Sequence, residues 1–437
     1  MSVPADLNGR KRLHAPTWYE SVLPVPEPLA PVVGERRVGT LVVGAGLAGL
    51  STALALAGGG DRDVLVIDRD EPGAGASGRN GGFVFAGFSL ANDALVSQCG
   101  AGQARRLHRW TRAAVEQVRG RCEAWQIEHN RQPVLLADWF HDQRALHELR
   151  ARMAEQLDFE LDFIDGAGMR DWVRSARYGG GLLEPGSFHF NPLAYLRALM
   201  RQLDGRGVAL AGQSPARSLV RQAAGWQVTT PRARIRADRV VLASGGYELR
   251  LWPPALRAIQ SIATYIVVTE PLGERLHQCL PGGAAVYDTR FAFDYYRPLP
   301  DTRLLWGGRI SIADRDPRAI RRLLRRDLAR VFPELADVGL EFAWGGWMSY
   351  ARHQMPILTE LEPGLWCALA FGGHGMATTT LAGEVLAEAM LGDRTRLQAF
   401  QPWGPSWAGA GPGRLAIQGV YWWKQLRDRL RDVFVGP

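Results

Sequence analysis

Three glycines stand at G-x-G-x-x-G spacing in the run Gly44-Ala45-Gly46-Leu47-Ala48-Gly49. In such a turn the first glycine bends the chain, the second lets backbone approach a pyrophosphate, and the third lets a helix pack closely. A carboxylate, Asp68, follows nineteen residues after Gly49, where it can accept hydrogen bonds from ribose hydroxyls. The next segment, Gly73-Ala74-Gly75-Ala76-Ser77-Gly78-Arg79-Asn80-Gly81-Gly82, combines five glycines with small residues and an Arg-Asn pair. Such a loop leaves backbone amides free to cradle an extended ligand. Far downstream a second glycine turn, Gly372-Gly373-His374-Gly375, presents an imidazole able to manage a proton near neutral pH. Dinucleotide binding is the chemistry these residues predict.

The elements around the first turn must form a strand, a helix and a second strand. Residues 40–43 are a β-branched apolar run, 50–57 read as a helix and 63–68 restore a strand, the pattern of a parallel βαβ unit buried on both faces. Residues 101–130 and 140–157 have helical spacing and read as an inserted region. Asn191-Pro192 is a cap and first-turn pair that opens a helix to about residue 203. Short extended segments follow at 208–211, 226–230, 232–236 and 239–243, and Ser244-Gly245-Gly246 then returns the chain to the cofactor.

Residues 263–268, 291–297, 304–310 and 340–347 are extended and rich in aromatics, which predicts an antiparallel sheet. The helix expected over 316–332 turns Ile320, Leu323, Leu324, Leu328 and Val331 inward and Arg321, Arg322, Arg325 and Arg326 outward. An apolar strand at 365–371 runs into the second glycine turn, and a helix follows at 376–390.

The 437 residues imply one large or two joined domains, and 46% hydrophobic with 22% charged content is that of a chain that folds. The net charge is +8, carried by arginine, since Lys11 and Lys424 are the only lysines. The arginines are scattered along expected helices rather than clustered with stacking aromatics, which argues against nucleic-acid binding. Cys99, Cys122, Cys279 and Cys367 form no C-x-x-C pair, so neither a zinc site nor a disulfide scaffold is expected, and no metal. No secretory signal is visible, and the longest apolar stretch, 40–57, falls short of a membrane span. A cytoplasmic protein without a membrane span is the expectation.

The stretch Gly75-Ala76-Ser77-Gly78-Arg79-Asn80-Gly81-Gly82 resembles the FAD-dependent amino-acid and amine oxidases, the family of glycine oxidase, sarcosine oxidase and gamma-glutamylputrescine oxidase. The leader 14–24, Val268-Thr269-Glu270-Pro271-Leu272, Asp294-Tyr295-Tyr296-Arg297, Trp306-Gly307-Gly308, Gly373-His374-Gly375-Met376 and Leu381-Ala382-Gly383 keep the family's order, as does Leu426-Arg427-Asp428-Arg429-Leu430. The resemblance implies a mixed α/β fold in which a Rossmann-like FAD-binding domain is discontinuous (36–90, 165–260 and 345–437, after a leader of 1–35). An antiparallel-sheet substrate domain would take 91–164 and 261–344. It further implies that Arg69, Ala216, Gly245, Met376 and Ala377 join the glycine turns in holding FAD.

The implied reaction moves a hydride equivalent from a nitrogen-bearing carbon to FAD, giving an imine, with O2 or another acceptor taking the electrons. His374 is the favoured catalytic group, Tyr296 and Arg297 are candidates to anchor substrate, and Arg352 is a further candidate because it lies near the family's arginine before a proline-containing turn. Adjacent strand residues point to opposite faces, so Tyr296 and Arg297 cannot both face a pocket. Neither lysine falls in a stretch where relatives place one near the flavin, and no cysteine falls where flavin is tethered, which predicts noncovalent FAD. No second G-x-G-x-x-G follows residue 90, against an NAD(P)H-using monooxygenase or reductase. A non-catalytic FAD-binding interaction protein would keep the same motifs. The substrate amine and the oligomeric state stay open.

Overall fold

The structure, a computed structural model, describes residues 15–435. Lys11 and His14 lie outside the described residues. One sheet runs in the order Ser218–Arg221, Trp226–Thr229, Ala233–Leu242, Gly34–Val43, Val64–Ile67, Ala209–Ala211. Gly34–Val43 is parallel to the strands on both its sides, and Val64–Ile67 is parallel to Ala209–Ala211. Leu41 to Val43 and Val64 to Ile67 are continuously buried, as strands covered on both faces must be.

The two short strands expected at 232–236 and 239–243 are one, Ala233–Leu242. Asp238 is an exposed position in an alternating strand rather than a break. Its first half pairs with Trp226–Thr229, and Val240 to Leu242 pair instead with Leu365–Leu369, the strand that leads to the second glycine turn. Ile357–Glu362, which the sequence pattern does not mark, folds back antiparallel on Leu365–Leu369.

Two helices begin at the two glycine turns, Leu47–Gly58 and Gly375–Met390. They pack face to face, and a β-carbon at Gly383 would lie 2.5 Å from the backbone of Ser51. That contact brings turns more than three hundred residues apart in the chain to one place.

The second sheet runs Leu340–Ala351, Ile259–Thr269, Leu304–Ser311, Asp294–Pro298, Ala285–Asp288, Val134–Ala137, Gly181–Glu184, Asp162–Ile164. It is antiparallel except where Val134–Ala137 meets Ala285–Asp288. Gly181–Glu184 therefore pairs into this sheet, although the resemblance implies that 165–260 go with the nucleotide-binding part. The strand expected from residue 291 starts at Asp294, because the amides of Phe291 and Ala292 donate to Asp428 rather than to a neighbouring strand. The helix Pro317–Val331 covers the sheet with Ile320, Leu324, Leu328 and Val331 buried, and Asp316 caps its first amides.

The inserted region is the helix Asn92–Ala124, bent at Gly100, followed by Gln143–Leu157. Asn191 caps the helix Pro192–Asp204 by accepting from the amides of Leu193 and Ala194. A last helix, Ala410–Val435, lies along the second sheet. All four cysteines are free. Among the described residues no helix is long and apolar enough to cross a membrane, and no His, Cys, Asp and Glu cluster is arranged to hold a metal ion.

Candidate cofactor and substrate cavity

Both glycine turns open into one cavity of about 1040 Å³ between the two large sheets. This is the upper end of the range of about 300–1,000 Å³ usual for a ligand site. At its nucleotide end Gly44 takes a φ of +114°, and the turn is so tight that a β-carbon at Gly49 would lie 1.9 Å from the Gly44 carbonyl oxygen. Gly49 thus serves helix packing and does not line the cavity, whereas Gly44, Gly46, Leu47 and Ala48 do. Ala45 also stays off the wall; its amide donates to Asp68 Oδ2 at 2.7 Å.

Asp68 accepts a second amide, from Asp70, at 3.0 Å. Burial pushes its carboxyl up from an ordinary 3.8 to about 6, against the lowering effect of those two amides. Beside it Arg69 pairs with Asp70 through Nε at 3.0 Å, while its Nη1 is buried without a hydrogen-bond partner. Ser77, from the glycine-rich loop, accepts the Leu47 amide at 2.9 Å and so caps a helix whose own cap position, Gly46, has no side chain to do it.

That loop holds itself together. Asn80 Nδ2 donates to the carbonyls of Ala76 and Ser77, and its Oδ1 accepts from the Gly82 amide. Arg79 donates to the carbonyls of Gly345 and Ala15. Gly75, Ala76, Gly81, Gly82, Ala216 and Gly245 line the cavity.

At the other glycine turn Ser89 Oγ donates to the Phe371 carbonyl at 3.1 Å and accepts the Gly373 amide at 3.0 Å. Gly373, His374, Gly375 and Met376 line the cavity, while Ala377 is buried against the first helix's side of the core and does not. His374 lies with Nδ1 3.5 Å from Ser89 Oγ and its ring 4.7 Å from that of Phe85. Burial lowers its pKa to about 4. That shift favours the neutral imidazole, where the sequence alone suggested a group titrating near neutrality.

From His374 a chain of rings runs along the wall through Phe85, Tyr287, Phe293, Tyr295 and Phe83, each centroid within 6.5 Å of the next. Burial raises the phenols of Tyr287 and Tyr295, so both stay protonated. Tyr295 faces the cavity and Tyr296 does not. Tyr296 turns into the opposite core, stacked on Trp306 at 4.6 Å with its hydroxyl 3.1 Å from that of Tyr178. Arg297 is also off the wall: it donates to the carbonyls of Gly81 and Phe190 and to the Tyr19 hydroxyl. It thereby ties the second sheet to the glycine-rich loop rather than meeting a ligand.

Four further cations border the cavity. Arg290 is neutralised by Asp288 and Asp294, and Arg309 by Asp327. Arg352 and Lys424 carry no ion pair among the described residues, and the Lys424 ammonium sits 4.1 Å over the Phe291 ring. Sequence reasoning named Arg352 but set Lys424 aside, and it missed Phe85, Tyr287, Tyr295 and Ser89. The motif Asp294-Tyr295-Tyr296-Arg297 contained the Tyr295 signal one residue from where it was sought.

Residues 40–389 match the family described as FAD dependent oxidoreductase. The chain belongs to that family. A gamma-glutamylputrescine oxidoreductase of Escherichia coli is 32% identical over 365 residues, 82% of this chain and 85% of the relative. A probable oxidoreductase OrdL of Rhizobium meliloti is 31% identical, covering 94% and 97%. Among solved structures, glycine oxidase from Geobacillus kaustophilus superposes with a TM-score of 0.70 at 18% identity, covering 85% of this chain and 99% of that one. L-proline dehydrogenase from P. horikoshii gives 0.72 at 16%, covering 85% and 97%.

The protein is thus an FAD-dependent oxidoreductase, and the residues present fit the cofactor. Two helix N-termini meet the cavity, Asp68 waits with a carboxylate, and Arg69 offers an unpartnered donor.

Proposed function

We propose that this enzyme oxidises the C–N bond of an amine that carries a distal carboxylate, an amino acid being the shortest case. FAD, when bound, supplies the acceptor for the hydride equivalent lost from the nitrogen-bearing carbon. The substrate becomes an imine, and water hydrolyses it to a carbonyl product and a released amine. The observation that carries this reading is the aromatic wall from His374 to Phe83 sharing one cavity with both glycine turns.

The chain's own work is positioning. The rings exclude water and favour an amine in its neutral, reactive form. His374, half-buried and with its pKa lowered, can accept or donate one hydrogen bond without competing for the substrate's proton. The helix opening at Gly375 turns its positive end toward the cavity and favours negative charge there. Arg352 and Lys424, with no carboxylate of the protein to satisfy them among the described residues, suit a carboxylate on the substrate. The E. coli relative acts on gamma-glutamylputrescine, an amine of this class. None of the cysteines lines the cavity, which supports FAD held without a covalent bond.

The test is anaerobic mixing of the holoenzyme with gamma-glutamylputrescine, simpler polyamines and amino acids, followed at the flavin band near about 450 nm. Bleaching by carboxylated amines is expected, with hydrogen peroxide and a dye acceptor assayed in parallel to identify the electron acceptor. If no amine bleaches the band, the reaction assignment fails, and if no other substrate class bleaches it either, a non-catalytic FAD protein becomes the reading.

A further inference from the structure

The last helix, Ala410–Val435, is built inside out. Its inward side is polar: Gln418 accepts the Ile312 amide, Tyr421 that of Ile310, and Asp428 those of Phe291 and Ala292. Asp432 on the same side takes Trp139 Nε1 and Arg330. The outward side is apolar. Leu415, Trp422, Trp423, Leu426 and Leu430 are 69%, 63%, 64%, 48% and 50% exposed. At roughly 100° per residue they fall within one arc of about 100°.

Exposed indole and leucine at this density is a surface that expects a partner. The charges choose it. Arg429 borders the arc on one side and Arg427 on the other, both exposed, while the helix's acids, Asp428 and Asp432, are turned inward and engaged. Beyond Arg429 lies a groove of about 520 Å³ against the helix Pro317–Val331, into which Arg315, Arg326 and Arg330 project. Arg326 and Arg429 have no ion pair among the described residues. A second copy would bring the same cations to this face and no free acid of the helix to meet them. An anionic lipid surface complements both features, because tryptophan and leucine enter the interface while arginine meets phosphate.

We infer that the last helix docks the protein on an anionic membrane surface, with Trp422, Leu426 and Leu430 in the interface and Arg427 and Arg429 on lipid phosphates. Val420 and Lys424 of the same helix line the catalytic cavity, so docking sets that cavity beside the bilayer. The contact needs no spanning segment.

Flotation of the FAD-loaded enzyme with phosphatidylcholine vesicles, with and without phosphatidylglycerol, tests this. Wild type is expected to float with the anionic vesicles only, and to be released by high salt. Arg427→Glu/Arg429→Glu is expected to lower partitioning by about tenfold or more, at about 1 kcal/mol per cation. Trp422→Gln/Leu426→Gln/Leu430→Gln is expected to abolish it while retaining bound flavin and solution turnover. Wild type that floats with neither vesicle overturns the proposal. So does a wild-type dimer by light scattering that the triple variant turns into monomers, since the face then covers a second copy.

Discussion

The ring of Tyr295 lies across Gly307 on the neighbouring strand, so close that a β-carbon at Gly307 would be 2.1 Å from it. The glycine is the space in which the cavity's tyrosine rests. Gly307→Ala is therefore expected to push Tyr295 out of the wall, costing about 1–3 kcal/mol of stability and lowering kcat/KM about tenfold while flavin remains bound. In a Tyr295→Ala background the same change should cost almost nothing in thermal unfolding. Equal costs in both backgrounds would show that the contact does not hold Tyr295 in place.

The nucleotide end of this site was legible because its parts are contiguous. From Gly44 to Gly82 each turn, strand and helix follows the last, so spacing in the chain is spacing in space. The aromatic wall was not, for two reasons that particular residues show. Strand Asp294–Pro298 is buried on both faces, so alternation says that Tyr295 and Tyr296 diverge without saying which one meets the cavity. Lys424 reaches the cavity only because Gln418, Tyr421 and Asp428 seat its helix on the second sheet, an arrangement set by tertiary contacts.

His374 is expected to leave a signature in the flavin-free protein. Its folded pKa, about 4, lies below the ordinary 6.5, so between those values the unfolded chain binds a proton that the folded one does not. Stability then rises with pH through that window and levels off above it. His108 and His189, lowered by burial to about 4 and about 3, act in the same direction. The check is the difference between wild type and His374→Gln in urea unfolding from pH 4 to 8. The variant's curve should rise less, and parallel curves would place His374 in water.

Asp68 has the opposite sign. Its carboxyl is raised from 3.8 to about 6, so the folded protein holds the extra proton and flavin-free stability falls as pH rises through that interval. Ribose hydroxyls donate to a carboxylate, so FAD affinity should increase over the same range, as the site ionises. Asp68→Asn is expected to bind FAD at least about tenfold more weakly at pH 7 and to lose the pH dependence. Titration of the flavin-free protein by fluorescence quenching measures both, and an unchanged pH dependence in the variant would assign it to another group.

Lys424 and Arg352 make a prediction about selectivity. If both meet the far carboxylate of the substrate, neither touches the reacting carbon, and their loss should raise KM while leaving kcat nearly intact. Lys424→Gln is expected to raise KM for gamma-glutamylputrescine by about tenfold. It should leave KM for putrescine, which has no carboxylate, unchanged. Arg352→Gln should behave alike, and the double variant should bring the two substrates close to equal. A parallel rise for both amines would mean that Lys424 supports the Phe291 ring it covers, and through it the loop held by Asp428, rather than the substrate.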